Sequence, residues 1–436
     1  MTTSAASIFR FLKRNQFASA EEISAWQFER LRALLAHSIQ HVPWYRSRLS
    51  TLNPSAIRSP ADLRNLPILA RGEIQQHADQ FLALSLPDGV RSSGKSATSG
   101  STGIPLEVHS TNVRQQWWLA CCLRDIVWCD IDPRGSLLGL RKVPHGREND
   151  PKLRAGVQTV NWGPGLESLT RTGPAFLMDV QQEPAIQLDF AARVDPDYII
   201  SYPSNLLHIG TLMRERNVRL PGLKTIQAIA EELTPENQLE ITEAFGVPLK
   251  NVYTCEEAGY LASPCPDSDS LHVHEENVIL EVLDENNEPC QTGDTGRVVI
   301  STLHNDYMPL IRYDIGDDVE LAEPCPCGRG LTALRRVIGK HRPLMHLPDG
   351  TRKSSHVLAG VIRDVGGFRQ LQVRQSSVDS LELNLVPDSR WNDERATQMV
   401  AGIQRFFMAP VSVTINECDR IKPGASGKLQ SFISDL

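Results

Sequence analysis

An α/β protein of two domains is predicted from three observations. First, the chain has 436 residues, too many for one ordinary hydrophobic core. Second, apolar runs and amphipathic segments alternate between residues 198 and 253. A strand at 198–200, a helix at 205–215, a strand at 225–229, a helix at 235–245 and a strand at 249–253 follow one another. That rhythm builds a parallel sheet with flanking helices. Third, the chain beyond Gly339 carries its own strands (370–374, 381–385, 411–416) and a helix (393–407). That is enough for a separate small α+β domain. The expected domains are 1–338 and 339–436.

The remaining elements follow in order. Residues 21–50 read as helix, with Glu21, Glu22, Glu29 and Arg30 set against Ile23, Trp26, Leu31, Leu34 and Leu35. His41-Val42-Pro43-Trp44-Tyr45 ends that run. Residues 51–95 alternate short helical pieces with turns. A Ser/Thr/Gly-rich loop at 96–105 leads into a long helix at 114–127. Residues 143–175, rich in Gly, Pro and Asn, read as loops. Two antiparallel strands at 277–283 and 296–302 flank the turn Asp284-Glu285-Asn286-Asn287-Glu288-Pro289.

Composition excludes several classes. The formal net charge is −7 with no long basic run, which argues against a nucleic-acid surface. No apolar run reaches the roughly 18 residues of a membrane span. Residues 1–20 mix Arg10, Lys13, Arg14 and Asn15 with apolar residues and lack a secretory core. The protein is read as cytoplasmic. Its nine cysteines are then thiols or metal ligands rather than a disulfide framework.

Five segments carry chemistry. Ser96-Ala97-Thr98-Ser99-Gly100-Ser101-Thr102-Gly103-Ile104-Pro105 offers hydroxyl and backbone donors on a pliable turn, suited to phosphate. It has neither a Gly-Lys-Ser/Thr ending nor a dinucleotide fingerprint, and a flexible linker is its plain alternative. Ala230-Glu231-Glu232 follows a strand, in a helix-start position where backbone donors are free. Tyr253-Thr254-Cys255-Glu256-Glu257 puts an aromatic ring and two carboxylates at a strand's C-terminal end, where open α/β sheets bind ligands. Arg312-Tyr313-Asp314-Ile315-Gly316-Asp317 groups a cation, a ring and two acids. Ser426-Gly427-Lys428 sets a lysine on a small-residue loop that can swing towards an anion. Taken singly, Tyr253 reads as core, Asp317 as a turn cap and Lys428 as a surface lysine.

Together, in this order, these segments resemble the adenylate-forming enzymes, and within them the phenylacetate–coenzyme A ligase-like branch. The resemblance extends to His41-Val42-Pro43-Trp44-Tyr45-Arg46, Leu66-Pro67-Ile68-Leu69, Leu271-His272-Val273-His274 and Cys325-Pro326-Cys327-Gly328-Arg329. It implies a large N-terminal domain with parallel and mixed sheets, and a mobile C-terminal domain. It implies activation of a carboxylic acid, aromatic or small and apolar, by ATP as an acyl-adenylate. The acyl group would then pass to coenzyme A, with an acyl carrier protein or an amine as alternative acceptors. A lapsed nucleotide-binding protein and a homodimer both stay open. By resemblance, Thr98, Ser99, Gly100, Ser101, Thr102 and Gly103 would hold the phosphates. Ala230, Glu231, Glu232 and Tyr253 would line the adenine. Asp317 would hold the ribose, Glu257 the Mg²⁺, and Lys428 would bridge carboxylate and phosphate.

The sequence departs from the relatives in three places. Glu256 stands where Ser or Thr is usual. Ile104 stands where many carry lysine, which removes one phosphate cation. Lys340, followed by His341 and Arg342, replaces the usual Gly-Arg junction and keeps charge without a guanidinium fork. The hinge is expected at 340–342. Cys265, His272, Cys325 and Cys327 form an allowed Cys₃His zinc set, with His274 as an alternative ligand and buried unliganded thiols as the alternative explanation. Cys121, Cys122, Cys129, Cys255, Cys290 and Cys418 read as core or incidental. Trp117, Trp118, Trp128 and Tyr202-Pro203-Ser204 are candidates for an acid-pocket wall, or else core.

Overall fold

A computed structural model describes residues 4–97, 106–142, 150–340, 345–353, 358, 362, 365–421 and 432–436. The chain divides into two compact units, Met1–Lys340 and His341–Leu436.

The first unit is organised around a twelve-stranded mixed sheet. Leu137–Arg141, Tyr198–Ser201, Thr225–Ile229 and Leu249–Cys255 run parallel, and Ala175–Asp179 pairs parallel to the first of them. The crossover helices are Pro184–Val194, Pro203–Arg216 and Pro235–Phe245. Each opens on a proline, whose missing N–H costs nothing in the first turn. Each closes on a left-handed residue, Asp195, Asn217 or Gly246, which lets the chain turn back to the next strand. Leu138, Leu140, Ile199, Ile226, Leu206, Ile209 and Ile241 pack the core between strands and helices.

Leu249–Cys255 is where the sheet changes character. It lies parallel to Thr225–Ile229 on one side and antiparallel to Gly259–Pro264 on the other. Beyond it the sheet continues antiparallel through Leu271–Val273, Ala333–Lys340, Tyr313–Leu321, Thr295–Thr302 and Val278–Leu283. The hairpin expected at 277–302 is present. Helix Ala20–His41, started by a Ser19–Glu22 capping box, packs Phe28, Leu31 and Leu35 into a second core with Trp44, Tyr45, Tyr253 and Tyr313. A separate pair, Ser92–Ala97 and Glu107–Thr111, sets Ala97 opposite Glu107.

Two readings need correction, at 143–175 and at 230–234, and a helix stands at 5–15, where none was assigned. Residues 143–175 are not all loop: helix Pro151–Ala155, strand Val157–Thr159 and helix Pro164–Glu167 lie within them. Residues 5–15 form a helix, with Ile8 and Leu12 buried and Arg10 exposed; its scattered basic residues mark a solvent face. Ala230–Thr234 precedes its helix rather than starting it, since Thr234 is the residue whose side chain accepts from the Asn237 N–H.

The second unit holds a four-stranded sheet ordered Ser412–Glu417, Ser380–Pro387, Phe368–Ser377 and Phe432–Ser434. Helix Asp393–Phe407 buries Met399, Ile403 and Phe407 with Leu381, Leu383 and Leu385.

Candidate active site

The end of Leu249–Cys255 gathers the expected groups. The Tyr253 hydroxyl donates to Asp317 Oδ2 at 3.0 Å. Glu257, only 5% exposed, follows in the turn beyond the strand. Its Oε1 accepts from the Tyr313 hydroxyl at 3.3 Å and lies 3.8 Å from Arg71 Nη1. Burial pushes both phenols well above their ordinary range, and the neighbouring carboxylates, Asp317 for Tyr253 and Glu257 for Tyr313, push the same way. Both rings therefore stay neutral donors at any working pH.

Arg71 and the role of Tyr313 went unread in the sequence. Arg71 arrives through a single bridge: the Leu69 N–H donates to the Arg312 carbonyl at 2.8 Å, and the Asp314 N–H donates to the Leu69 carbonyl at 3.0 Å. That pairing stitches Leu69 alongside Tyr313. Arg71 then opens helix Arg71–Gln76 beside Glu257. The extended run Leu66-Pro67-Ile68-Leu69 was the available signal.

The cation of the Arg312 segment does other work. Arg312 has φ +52° and forms a two-bond ion pair with Glu281, at 3.0 and 2.9 Å. Its Nη1 also donates to the Leu66 carbonyl at 2.6 Å. It clamps the Leu66–Leu69 run to the sheet, so its role is positional. Asp314 accepts from Arg297 at 2.8 Å and likewise serves the scaffold.

Glu256 is exposed, and its carbonyl accepts from Arg114 Nη2 at 2.6 Å. Arg114 Nη1 donates to the Ser110 hydroxyl. Asn277 Nδ2 donates to the carbonyls of Ala258 and Tyr260, both at 3.0 Å, and fixes the chain leaving the motif. Gly259 has φ +78°, and a Cβ there would stand 2.8 Å from Trp118 Cδ1. Trp118 is 44% exposed. Trp117, by contrast, is buried and stacked on His304 at 3.6 Å, and Trp128 is buried. Of the three tryptophans only Trp118 is exposed.

Ala230 adopts φ +64° as the chain leaves its strand. The Glu231 carboxylate accepts from the Ser204 N–H and hydroxyl at 3.0 and 3.1 Å, so it caps the start of helix Pro203–Arg216. Glu232 lies against Gly339: a Cβ on that glycine would be 3.6 Å from Glu232 Cβ. The Tyr202 hydroxyl accepts from the Lys142 N–H at 3.2 Å, and the residue is buried. Lys340 pairs opposite Asp317 in the adjoining strand. Thr98, Ser99, Gly100, Ser101, Thr102, Gly103, Ile104, His341, Arg342 and Lys428 lie outside the described residues.

At the far end of the antiparallel half, Cys265, His272, Cys325 and Cys327 bring their ligand atoms within 4.8 Å of one another. Cys265 and Cys325 Sγ are 3.8 Å apart, and His272 Nε2 is 3.2 Å from Cys327 Sγ. His272 Nδ1–H donates to the Leu331 carbonyl at 3.2 Å, which leaves Nε2 as the lone-pair nitrogen facing the sulfurs. His274 is not part of this cluster; its Nε2 meets the Ser263 hydroxyl at 2.9 Å.

No protein-family profile matches the sequence. The phenylacetate–coenzyme A ligase of Thermus thermophilus is 27% identical over 330 residues, covering 73% of this chain and 71% of that protein. The enzyme of the same name from Pseudomonas putida is 23% identical over 441 residues, covering 93% and 92%. Among solved structures, 2-hydroxyisobutyryl-CoA ligase in its postadenylation state with R3-HIB-AMP superposes at TM-score 0.76 and 16% identity, over 97% of this chain and 92% of that one. The chain is similar to phenylacetate–coenzyme A ligases and shares the fold of 2-hydroxyisobutyryl-CoA ligase. On this fold, the Tyr253–Asp317 and Tyr313–Glu257 pairs lie at the end of the strand where the sheet turns from parallel to antiparallel.

Proposed function

We propose that the protein is an AMP-forming acid–thiol ligase with coenzyme A as its acceptor. The observation that carries this is the buried Glu257 carboxylate set beside the Tyr253–Asp317 pair at the sheet's change of direction. Four curated relatives bear the name phenylacetate-coenzyme A ligase, and the solved 2-hydroxyisobutyryl-CoA ligase is complexed with R3-HIB-AMP.

In the first step an oxygen of the substrate carboxylate attacks the α-phosphorus of ATP. The bond to the bridging oxygen breaks, and pyrophosphate leaves. In the second, the thiol loses its proton, its sulfur attacks the acyl carbon, and AMP leaves. Asp317 takes the ribose hydroxyls and is oriented by the Tyr253 phenol. Tyr253, Ala230 and the backbone beside Glu231 and Glu232 line the adenine. Residues 98–103 take the phosphates, and Lys428 offsets the charge between carboxylate and phosphate. Glu257 is an acceptor-only oxygen ligand in a buried place, a fit for a hard divalent cation. Bound Mg²⁺ there neutralises phosphate charge as it builds. Trp118, pressed on Gly259, supplies an apolar wall suited to an aromatic or small apolar acid.

The Cys265, His272, Cys325 and Cys327 set fits structural zinc. Tetrahedral zinc with Zn–S of about 2.3 Å separates its sulfurs by about 3.8 Å, the spacing of Cys265 and Cys325 here.

ATP–pyrophosphate exchange with a panel of acids tests the reading, followed by product formation with coenzyme A, a carrier-protein thiol or an amine. Exchange with an aromatic or small apolar acid and coenzyme A-dependent thioester are expected. Absence of exchange with every acid would instead support a nucleotide-binding protein without ligase chemistry.

A further inference from the structure

We infer that Arg329 is the positioning residue of the Cys265, His272, Cys325 and Cys327 centre: it balances the charge of the metal-bound site and ties metal occupancy to the end of the first helix. This rests on the zinc reading above. Each sulfur of the cluster has a polar neighbour of its own. The Asp267 N–H donates to Cys265 Sγ at 3.4 Å, the Arg329 N–H donates to Cys327 Sγ at 3.5 Å, and the Ser268 hydroxyl meets Cys325 Sγ at 3.1 Å. Three thiolates and a neutral imidazole around Zn²⁺ carry one net negative charge, and a buried charge without a partner is costly. The Arg329 guanidinium is placed to balance it. Its side chain is 8% exposed, and Nη1 lies 3.9 Å from Cys265 Sγ and 2.7 Å from Asp267 Oδ2. Asp267 itself is largely exposed, so water screens that second partner.

The same guanidinium reaches the N-terminal helix. Arg329 Nε donates to Gln16 Oε1 at 3.3 Å, and Trp128 Nε1 donates to that same oxygen at 3.2 Å. The guanidinium carbon stands 5.3 Å from the Phe17 ring and 5.2 Å from the Trp128 ring, and Trp128 meets His272 edge-on at 5.9 Å. Gln16 closes helix Ala5–Asn15. A metal that fixes Cys327 therefore fixes the turn carrying Arg329, and with it the residue that ends the helix. The body of the helix has other holds, Arg124 on the Leu12 carbonyl at 2.8 Å and Asn15 on Glu276 at 3.1 Å. The effect of the metal is thus confined to residues 16–18.

Two measurements on wild-type, Arg329→Gln and Arg329→Lys proteins test this: Zn²⁺ affinity by competition with a chromogenic chelator at one pH, and amide hydrogen exchange with and without Zn²⁺. Arg329→Gln is expected to weaken Zn²⁺ by about 10- to 100-fold, the scale for an outer partner of a metal ligand, and Arg329→Lys, which keeps the charge, by less than about threefold. Removing Zn²⁺ from the wild-type protein should speed exchange at the Gln16, Phe17 and Ala18 amides by about tenfold and leave residues 9–13 unchanged, since only the helix end opens. In Arg329→Gln the same three amides should exchange fast whether or not Zn²⁺ is bound. A purely structural arginine would lower stability without moving Zn²⁺ affinity. Unchanged affinity in Arg329→Gln, or wild-type exchange at residues 16–18 indifferent to Zn²⁺, would overturn the inference and leave the zinc reading in place. Wild-type protein that takes up no Zn²⁺ would overturn both.

Discussion

Tyr253 shows how one hydroxyl ties the site together. Its donation to Asp317 Oδ2 fixes the carboxylate that would meet the ribose. Tyr253→Phe keeps the ring and removes the donor. The expected outcome is a rise of about 3- to 10-fold in the KM for ATP with kcat little changed, since the lost bond orients Asp317 rather than touching the nucleotide and a hydrogen bond contributes about 1 kcal/mol net. An unaltered KM would separate Tyr253 from nucleotide binding. A second residue sets pH behaviour. Burial raises the Glu275 carboxyl to about 7, against the donation of the Thr332 N–H and hydroxyl and with a small push from Glu276. The folded state then holds a proton that the unfolded chain has already lost between pH 4.5 and 7. Stability therefore falls as pH rises through that window. Glu275→Gln should flatten the decline, by on the order of 3 kcal/mol at most. Denaturant midpoints at pH 5 and pH 8 for both proteins would show it.

At the level of elements, the parallel half was legible because its crossover helices announce themselves. Pro203, Pro235 and the left-handed stops at Asn217 and Gly246 mark helix ends in the sequence itself. Leu137–Arg141 and Ala175–Asp179 were not legible. The first is a five-residue strand interrupted by Gly139, and the second adjoins a stretch dense in Gly and Pro, so local signals favour loop. Of the site, Tyr253, Glu257 and Asp317 could be read because each stands in a local motif. Arg71 could not, because only the Leu69–Tyr313 pairing brings it there. The Cys₃His set was readable by residue type, whereas excluding His274 required the fold, since it lies one residue beyond strand Leu271–Val273 and its Nε2 meets the Ser263 hydroxyl. That cluster joins three elements: Cys265 follows Gly259–Pro264, His272 lies in Leu271–Val273, and Cys325 and Cys327 precede Ala333–Lys340. Elemental analysis is expected to find about one zinc per chain. Cys325→Ser should lose the metal and lower the melting temperature, because metal binding is coupled to folding. A stable, metal-free wild-type protein would contradict this.

At the scale of the whole molecule, two chemistries in one enzyme call for a moving part. The unit His341–Leu436 has its own core and contains Lys428. Lys428→Ala is expected to lose about 100- to 1,000-fold in acid-dependent pyrophosphate exchange, the scale of one electrostatic stabiliser. Arg342→Pro fixes a φ angle at the proposed hinge and should spare exchange while lowering thioester formation. Equal losses in both half-reactions for Arg342→Pro would move the hinge elsewhere.

The loop after the cysteines has one more consequence, for the order in which this protein takes shape during synthesis. Arg329 and Gly330 reach back to the first helices: Arg329 Nε donates to Gln16 Oε1 at 3.3 Å, and the Gly330 N–H donates to the Gln16 carbonyl at 3.0 Å. A Cβ at residue 330 would stand 2.0 Å from the Ala18 carbonyl oxygen, so only glycine allows the approach. The partners of this clasp are made at opposite ends of the first unit. At ribosomal speeds of about 5–20 residues per second, Gln16 waits roughly 15–60 s for them. Until then the apolar face of Ala5–Asn15 is covered by Trp26, 5.4 Å from Phe11, and, once it is made, by Trp117, Ala120 and Cys121 of helix Asn112–Trp128. The nascent chain thus leaves the end of its first helix, at Gln16, without this clasp for most of the first unit's synthesis, and any stall before residue 330 keeps it so.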